Sequence, residues 1–354
     1  MNDITVLSTA CGAMFMPGFF RCLKHNGERN IRIIGCDASD VLYMAAIVDV
    51  FYQVPKLNDP NYIPFILDIC EKEKVDIVFP QISMELGAFR NNLLEFTKRG
   101  IKVACMEKDT LSIANNKCLL YSYMKENGLE TPDFYVVKDS RSLKDAAAWL
   151  GYPKQDVCVK IAEGSGSRGV RILSAGKSKA DIFLYEKPNS FFTSLEEMCG
   201  ILDDIECKPD MFAMKALPGC EYTVDLLADK GNVICMVGRR NTTSSMSIAQ
   251  TSVIERKQEA YDLCESIVKL LQLDGNIGFD FMLDERDCPV LTDLNPRVTA
   301  TIILYMASGI NFPYMRIKQL LGEEIKIDEV RYGKRLVRKY DDILLDEKGT
   351  IINF

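Results

Sequence analysis

The amino-acid sequence predicts a protein of mixed α/β and α+β class, in which an N-terminal parallel sheet is followed by a mainly antiparallel part. Two observations support this prediction. Residues 4–105 alternate short β-branched runs with helical patterns, an order typical of a parallel sheet covered by helices on both faces. Residues 211–295 contain strand-like runs joined by turns, of which Lys230-Gly231-Asn232 is the clearest, and this order is typical of antiparallel pairing.

The first five strands are predicted at the runs ITVLS, IRIIGCD, FYQVP, DIVFP and IKVAC, with helical patterns among them. This order predicts a Rossmann-like domain at residues 1–108. Its first turn, STACGAMFMPG, lacks the glycine fingerprint of dinucleotide-binding domains, so Asp37 after the second strand is not expected to bind a ribose. Because ligands gather at the carboxyl ends of parallel strands, residues 9–12, Asp37 and residues 80–85 are candidates for a substrate pocket.

Composition and charge exclude several classes of function. A length of 354 residues predicts two or three domains, and a net charge of −7 without a basic block argues against nucleic acid as a partner. No apolar run approaches the roughly 20 residues that span a bilayer, and the start MNDITVLST does not resemble a secretory signal. We therefore expect a cytoplasmic protein with no membrane partner. Since the 13 cysteines include no Cys-x-x-Cys pair and His25 is the one histidine, a bound metal should have oxygen ligands.

The stretch VCVKIAEGSGSRGV at residues 157–170 combines Lys160 with a Gly-x-Gly-x-x-Gly run that begins at Gly164. A dinucleotide-binding turn would need a helix after these glycines, but the VRIL that follows is a strand pattern. A P-loop would need Lys and Ser or Thr directly after the last glycine, where Val170 stands. We predict a hairpin that closes over phosphates, and an ordinary glycine-rich hairpin with a solvated lysine remains open.

The last hairpin pattern, GFDFMLDERDCPVLTDLNPR at residues 278–297, concentrates polar residues on its strands. Asp280 lies on the first strand and Asp293 on the second, with Asn295 and Arg297 following at two-residue intervals on the same face. Carboxylate and amide oxygens with an arginine beside them are what Mg²⁺ bound to a polyphosphate needs. Asp-rich hairpin ends are also common as solvated turns, but a carboxylate between two phenylalanines of a strand needs a partner.

A third polar stretch, GRRNTTSSMSIAQTSVIERK at residues 238–257, places Arg239 and Arg240 at a predicted strand end before a hydroxyl-rich loop. Guanidinium groups in that position would suit binding of a carboxylate or a phosphate. A solvated connection is equally compatible with this stretch, so both interpretations stay open.

Five motifs occur in order along the chain: Lys117, Lys160, the glycine loop 164–169, MKALPGCEYTVD at 214–225, and the hairpin 278–297. In this order and spacing the chain resembles the ATP-grasp superfamily. With its Rossmann-like N-terminal part it is similar to carboxylate–amine ligases of the carbamoyl phosphate synthetase-like and D-alanyl-D-alanine ligase type, over about residues 1–325. The resemblance implies a two-part ATP-grasp domain at 109–325, with a lid subdomain at about 130–205, an antiparallel-sheet subdomain at about 206–325, and a tail at 326–354.

The resemblance also implies roles for the residues that would bind the nucleotide. Lys117 and Lys160 would contact the phosphates of ATP as ammonium point charges. The backbone of Lys215 and Leu217 would read the adenine edge, and the Glu221 carboxylate would accept the ribose hydroxyls. The mobile lid loop over the phosphates would contain Gly164, Ser165, Gly166, Ser167 and Gly169.

For the metal and the reaction, the resemblance implies that Asp280, Asp293 and Asn295 hold Mg²⁺ or Mn²⁺. Arg297 would stabilise the phosphoryl group during its transfer and the acyl-phosphate that results. Arg240 is the second residue predicted to act in catalysis, through the carboxylate or phosphate that it would bind.

The reaction implied is an ATP-dependent ligation in which a carboxylate attacks the γ-phosphate and an amine displaces phosphate from the acyl-phosphate. The partners would be ATP, a small carboxylic acid, and an amino acid, peptide or amino sugar as the amine, and the chain would be compatible with a homodimer. Two alternatives remain open. One is formation of carboxyphosphate from bicarbonate, as in carbamoyl phosphate synthetase-like enzymes, and the other is a nucleotide-binding protein without catalytic activity.

Overall fold

The computed structural model describes residues 1–41, 43–44, 47–106, 110–164, 168–187, 190–245, 248–339, 342–347 and 352. The chain divides into two compact units, neither of which is contiguous in sequence. The first unit comprises Met1–Leu111, Tyr222–Asp280 and Leu294–Phe354, and the second comprises Ser112–Glu221 and Phe281–Asp293. The domain boundaries that the sequence predicts, at 108 and 325, stay predictions.

A five-stranded sheet in the first unit has the strand order β3-β2-β1-β4-β5, and all its pairs are parallel, as predicted. Its strands are β1 (Ile4–Ser8), β2 (Ile31–Asp37), β3 (Val50–Gln53), β4 (Ile77–Phe79) and β5 (Lys102–Val103). The helices between them are α1 (Met16–Lys24), α2 (Tyr62–Glu73), α3 (Ser83–Asn91) and α4 (Leu93–Lys98). The predicted parallel sheet of the N-terminal part is therefore confirmed.

Both faces of this sheet are buried, which explains why its strands are continuous apolar runs. Val6 and Leu7 of the central strand β1 belong to two different hydrophobic clusters, because successive side chains of a strand point to opposite faces. Polar residues lie at the carboxyl ends of the inner strands β1 and β4, where Ser8, Thr9 and Gln81 are found. Ligand-binding groups are expected at that edge of a parallel sheet.

The second unit contains a sheet with the order β6-β10-β7-β8-β9. Its strands are β6 (Phe134–Val137), β7 (Val157–Ile161), β8 (Val170–Leu173), β9 (Phe192–Thr193) and β10 (Met211–Lys215). The helices of this region are α5 (Leu111–Asn115), α6 (Lys117–Glu126), α7 (Ser140–Leu150), α8 (Lys179–Tyr185) and α9 (Leu195–Asp204). Residues 211–215 were predicted to belong to the last sheet, but β10 pairs with β6 and β7 instead. A hydrophobic pattern identifies a strand without identifying its neighbours, so this difference could not be read from the sequence.

The third sheet has the order β15-β14-β11-β12-β13-β16. Its strands are β11 (Glu221–Asp229), β12 (Asn232–Ser245), β13 (Ile248–Ile254), β14 (Gly275–Leu283), β15 (Pro289–Asn295) and β16 (Arg335–Val337). The edge strand β16 lies in the segment predicted as a tail, and it pairs antiparallel with β13. Arg239 and Arg240 lie inside β12, so the prediction of a strand end followed by a loop at this point is wrong.

Three helices accompany the third sheet: α10 (Gln258–Leu271), α11 (Ile303–Ala307) and α12 (Phe312–Leu321). Gly309 adopts a φ of 104° between α11 and α12, a conformation that favours glycine and separates the two helices. In the described part of the chain, every helix is too short or too polar to cross a lipid bilayer.

Candidate functional site

A carboxylate, an amide and a guanidinium group form a hydrogen-bonded row in the first unit. Asp280 is on β14, Asn295 ends β15, and Arg297 follows two residues later. Asn295 Nδ2 donates to Asp280 Oδ2 at 2.9 Å, and Arg297 Nη2 donates to Asn295 Oδ1 at 3.1 Å. The sequence predicted all three residues as site residues, and the structure brings them into direct contact. We refer to them as the Asp280–Asn295–Arg297 row.

The Arg297 guanidinium is also fixed by contacts outside the row. Its Nη1 donates to the carbonyl oxygen of Val298 at 2.8 Å, and its Nε donates to Ser83 Oγ at 3.2 Å. Ser83 is the first residue of α3, which follows the carboxyl end of β4. Since the side chain is only partly buried, it is held in position and still accessible to a ligand.

The carboxyl ends of β1 and β4 supply a second group of polar side chains. Thr9 Oγ1 donates to Glu85 Oε2 at 2.6 Å, and the Tyr62 hydroxyl donates to Glu85 Oε1 at 2.9 Å. Burial raises the pKa of the Glu85 carboxyl, and these hydrogen bonds oppose the rise. Gln81 Nε2 donates to Ser8 Oγ at 3.2 Å, whereas its buried Oε1 accepts no hydrogen bond from the described residues. A buried acceptor of this kind is what a ligand donor would satisfy.

A buried polar cluster lies next to Asp280, on the same face of the third sheet. Thr223 Oγ1 donates to Asp280 Oδ1 at 2.8 Å, and Thr223 stands directly opposite Arg239 on the neighbouring strand. Directly opposed residues of paired strands share a face, so Arg239 lies on the face that carries Asp280. The Arg239 side chain is 4% exposed, and its Nε lies 3.9 Å from Asp225 Oδ2. The cluster therefore contains a buried ion pair.

Arg240 lies on the opposite face of the same sheet. It stands opposite Tyr222, whose hydroxyl donates to the backbone oxygen of Glu255 at 2.9 Å. Its guanidinium contacts the Glu255 carboxylate through two hydrogen bonds of 2.8 Å each. Arg240 was predicted to be a catalytic residue, but alternation along β12 turns its side chain away from Asp280. Arg239 was predicted, with Arg240, to bind a carboxylate or a phosphate, whereas Asp225 was not predicted as a site residue.

In the second unit, Lys117 meets one of the predicted metal ligands. Lys117 begins α6, its side chain is 9% exposed, and its Nζ lies 2.9 Å from Asp293 Oδ1. The same Nζ donates to the carbonyl oxygen of Gly164 at 3.4 Å. Asn116 Nδ2 donates to Glu163 Oε1 at 3.0 Å. The start of α6 is thus tied to the loop after β7 through two neighbouring side chains.

That loop belongs to a hairpin made by the antiparallel strands β7 and β8. Lys160 is a half-buried residue of β7 opposite Val170. Gly169 has a φ of 67°, and a Cβ there would lie 2.7 Å from Ile161 Cγ1, so only glycine fits. A Cβ on Gly164 would lie 2.8 Å from Ile161 Cδ1. The other predicted loop residues, Ser165, Gly166 and Ser167, lie outside the described residues.

The predicted adenine-reading segment follows β10. Lys215 is exposed and Leu217 is half-buried, and the Ala216 N–H between them donates to the carbonyl oxygen of Asp156 at 2.9 Å. The Gly219 N–H donates to the carbonyl oxygen of Leu283 at 3.0 Å, and a Cβ on Gly219 would lie 2.4 Å from that oxygen. The segment before Glu221 is therefore held against backbone on both sides.

The donor atoms present fit a hard cation better than a soft one. Asp280, Asp293 and Asn295 offer carboxylate and amide oxygens, the ligands that Mg²⁺ and Mn²⁺ prefer. Within the described ranges, no group of three or more His, Cys, Asp or Glu side chains is placed to hold a metal by itself.

Comparison with known proteins gives two curated relatives and many solved structures. The relatives are formate-dependent phosphoribosylglycinamide formyltransferases of Bacteroides fragilis (31% identical) and Bacteroides thetaiotaomicron (34% identical), each aligned over 273 residues. These alignments cover 76% of this chain and 67% of each relative. A biotin carboxylase domain of Hydrogenobacter thermophilus 2-oxoglutarate carboxylase, solved with MgADP and bicarbonate, superimposes with a TM-score of 0.67. It is 18% identical, and the superposition covers 94% of this chain and 73% of that one.

The chain belongs to the ATP-grasp superfamily and is an ATP-dependent ligase of that superfamily. Two family models locate the match more closely. Residues 207–340 match the family described as ATP-grasp in the biosynthetic pathway with Ter operon, and residues 14–104 match the PylC-like N-terminal domain. The resemblance that the sequence motifs indicated is confirmed.

The two arginines of β12 give a matched pair of variants. Arg239→Gln should lower the free energy of unfolding by about 3–5 kcal/mol, because it leaves the Asp225 carboxylate buried without its counter-charge. Arg240→Gln removes a half-exposed ion pair and should cost less than about 1 kcal/mol. Urea unfolding followed by circular dichroism measures both. Equal losses in the two variants would contradict the assignment of the arginines to opposite faces.

Proposed function

We propose that this protein activates a small carboxylic acid as an acyl-phosphate at the expense of ATP and transfers the acyl group to an amine. The carboxylate oxygen attacks the γ-phosphorus, the bond to the β-phosphate oxygen breaks, and ADP leaves. The amine nitrogen then attacks the acyl carbon, loses a proton, and displaces inorganic phosphate. The products are an amide, ADP and phosphate.

One observation carries this proposal, namely the Asp280–Asn295–Arg297 row. The positively charged Arg297 side chain donates a hydrogen bond to the Asn295 amide, and that amide donates a hydrogen bond to the Asp280 carboxylate. Transfer of a phosphoryl group needs donors that are already in place where negative charge develops, and the contacts with Ser83 and Val298 hold Arg297 before any ligand arrives. Bound Mg²⁺ would offset the charge of the transferred phosphoryl group, with Asp280, Asp293 and Asn295 as its ligands.

The remaining predicted residues would bind ATP. Lys117 and Lys160 would contact phosphate oxygens, and the hairpin loop with Gly164 and Gly169 would cover them with backbone N–H groups. The backbone of Lys215 and Leu217 would contact the adenine, and Glu221 would accept the ribose hydroxyls. These residues come from α6, strand β7, the hairpin loop and the segment after β10, all within the second unit, which supports a dedicated nucleotide site over scattered surface charges.

The carboxyl ends of β1 and β4 are the proposed place for the second substrate. They carry hydroxyls, the raised-pKa carboxyl of Glu85 and the free acceptor of Gln81, and Ser83 links this edge to Arg297. The names of the two curated relatives suggest formate as the acid and a primary amine as the acceptor. Arg240 is left out of this proposal because it faces away from Asp280.

Phosphate release tests the proposed function. The protein is incubated with MgATP and one acid at a time, including formate, bicarbonate and amino acids, with and without amines such as amino acids, peptides and amino sugars. We expect ADP and phosphate to appear in equal amounts only with a particular acid–amine pair. Turnover with bicarbonate in place of another acid would support carboxyphosphate formation instead. Absence of turnover with every pair, despite ATP binding, would support a catalytically silent protein.

Nucleotide affinity tests the assignment of Lys160 and Glu221. Replacing either by alanine should weaken binding of a non-hydrolysable ATP analogue by at least about tenfold, since a hydrogen bond to a charged group is worth roughly 1.5–3 kcal/mol. Isothermal titration calorimetry gives the Kd, and Lys208→Ala, at an exposed lysine of the same unit, is the matched control. Unchanged affinity in both variants would refute these two assignments.

A further inference from the structure

We propose that the buried carboxylate of Asp225 is a positioning group which, through Thr299 and Tyr305, holds Arg297 where it contacts the transferred phosphoryl group. The inference rests on the proposed function and assigns to the site three residues that touch neither nucleotide nor metal in that proposal. It concerns how the Asp280–Asn295–Arg297 row is kept in place.

The contacts of Asp225 converge on one oxygen atom. Thr299 Oγ1 donates to Asp225 Oδ2 at 2.8 Å, and the Tyr305 hydroxyl donates to the same oxygen at 2.6 Å. Asp225 is 3% exposed, Thr299 5% and Tyr305 0%. Thr299 is only two residues beyond Arg297, and the intervening Val298 accepts from the guanidinium. A displacement of Thr299 therefore shifts the turn that carries Arg297.

Packing fixes Thr299 from a second side. A Cβ on Gly278 would lie 2.1 Å from Thr299 Cγ2, a distance at which no side chain fits. The absence of a side chain at Gly278 thus lets the Thr299 methyl group lie directly on strand β14, two residues from Asp280 and on the same face. Thr299 is held between a hydrogen bond to Asp225 and a close contact with this strand.

The same carboxylate is connected to the other end of the row. Its ion-pair partner Arg239 donates to Asn241 Oδ1, and Asn241 Nδ2 donates to Thr223 Oγ1 at 3.5 Å. Thr223 in turn donates to Asp280. Burial raises the pKa of the Asp225 carboxyl, while the Arg239 guanidinium and the two hydroxyl donors oppose the rise. A carboxylate that is buried in this way needs several hydrogen-bonding or charged partners. The partners of Asp225 form a chain of contacts that reaches Asp280 at one end and the turn after Arg297 at the other.

Two variants remove the hydroxyl donors with little change of shape: Thr299→Val and Tyr305→Phe. The measurement compares the Kd for MgADP with the Kd for MgADP in the presence of aluminium fluoride, which stands in for the transferred phosphoryl group. Wild-type protein should bind ADP more tightly with aluminium fluoride. Both variants should lose about tenfold or more of this gain, since small misplacements of a catalytic group cost that much, and their Kd for MgADP alone should stay within about twofold of wild type.

Three controls separate positioning from general stability. Thr299→Ser keeps the hydroxyl and should retain the gain from aluminium fluoride. Tyr222→Phe removes a buried tyrosine hydroxyl on the other face of the same sheet and should also retain it. In an Arg297→Ala background, Thr299→Val should add no more than about a twofold further loss, because residues that act through one another are non-additive.

The proposal would be overturned if Thr299→Val and Tyr305→Phe kept the wild-type gain in MgADP affinity from aluminium fluoride, or if Thr299→Ser lost as much of that gain as Thr299→Val. An additive loss of the gain when Thr299→Val is combined with Arg297→Ala would also overturn it. So would a fall of the Tm with equal weakening of MgADP binding with and without aluminium fluoride, since that result indicates general destabilisation. If wild-type protein binds MgADP and shows no gain with aluminium fluoride, the proposed phosphoryl transfer itself is contradicted.

Discussion

The two-residue period of a β-strand decides which polar groups of the third sheet meet. Alternation on β12 places Arg239 on the face of Asp280 and Arg240 on the other, although the two are adjacent in sequence. The same period separates Asp280 from the buried phenylalanines on either side of it. A slip of one residue in the pairing of β11 with β12 would exchange the two faces and dissolve the polar cluster. Strand register therefore determines which polar side chains can contact one another at the site.

Charge inside this polar face is balanced locally. Asp225 and Arg239 are both nearly inaccessible to solvent, and unpaired burial of either would cost several kcal/mol. In the second unit, Lys117 is likewise buried and lies against the Asp293 carboxylate. Each of these cations is held by short-range contacts, which is what preorganised charge stabilisation requires.

Much of the fold was predictable from local pattern, and much of the site was not. The N-terminal sheet follows from apolar runs buried on both faces, and the contact between Asp280 and Asn295 follows from alternation on a hairpin. The wrong loop after Arg240 arose because polar threonines and serines were taken as a connection, whereas β-branched threonine favours a strand. The role inferred for Asp225 depends on Thr299 and Tyr305, 74 and 80 residues away, a pairing that no local pattern encodes. An acid inside the apolar run EYTVDLLAD was the one signal that a partner existed.

The fate of a carboxylate oxygen tests the central claim most directly. An acid labelled with oxygen-18 in its carboxylate, formate first, is turned over with MgATP and the amine, and the products are analysed by phosphorus NMR and mass spectrometry. Attack of the carboxylate on the γ-phosphate followed by displacement by the amine transfers one labelled oxygen to inorganic phosphate, with ADP as the other product. Label in AMP, with release of pyrophosphate, or phosphate without label would contradict an acyl-phosphate mechanism.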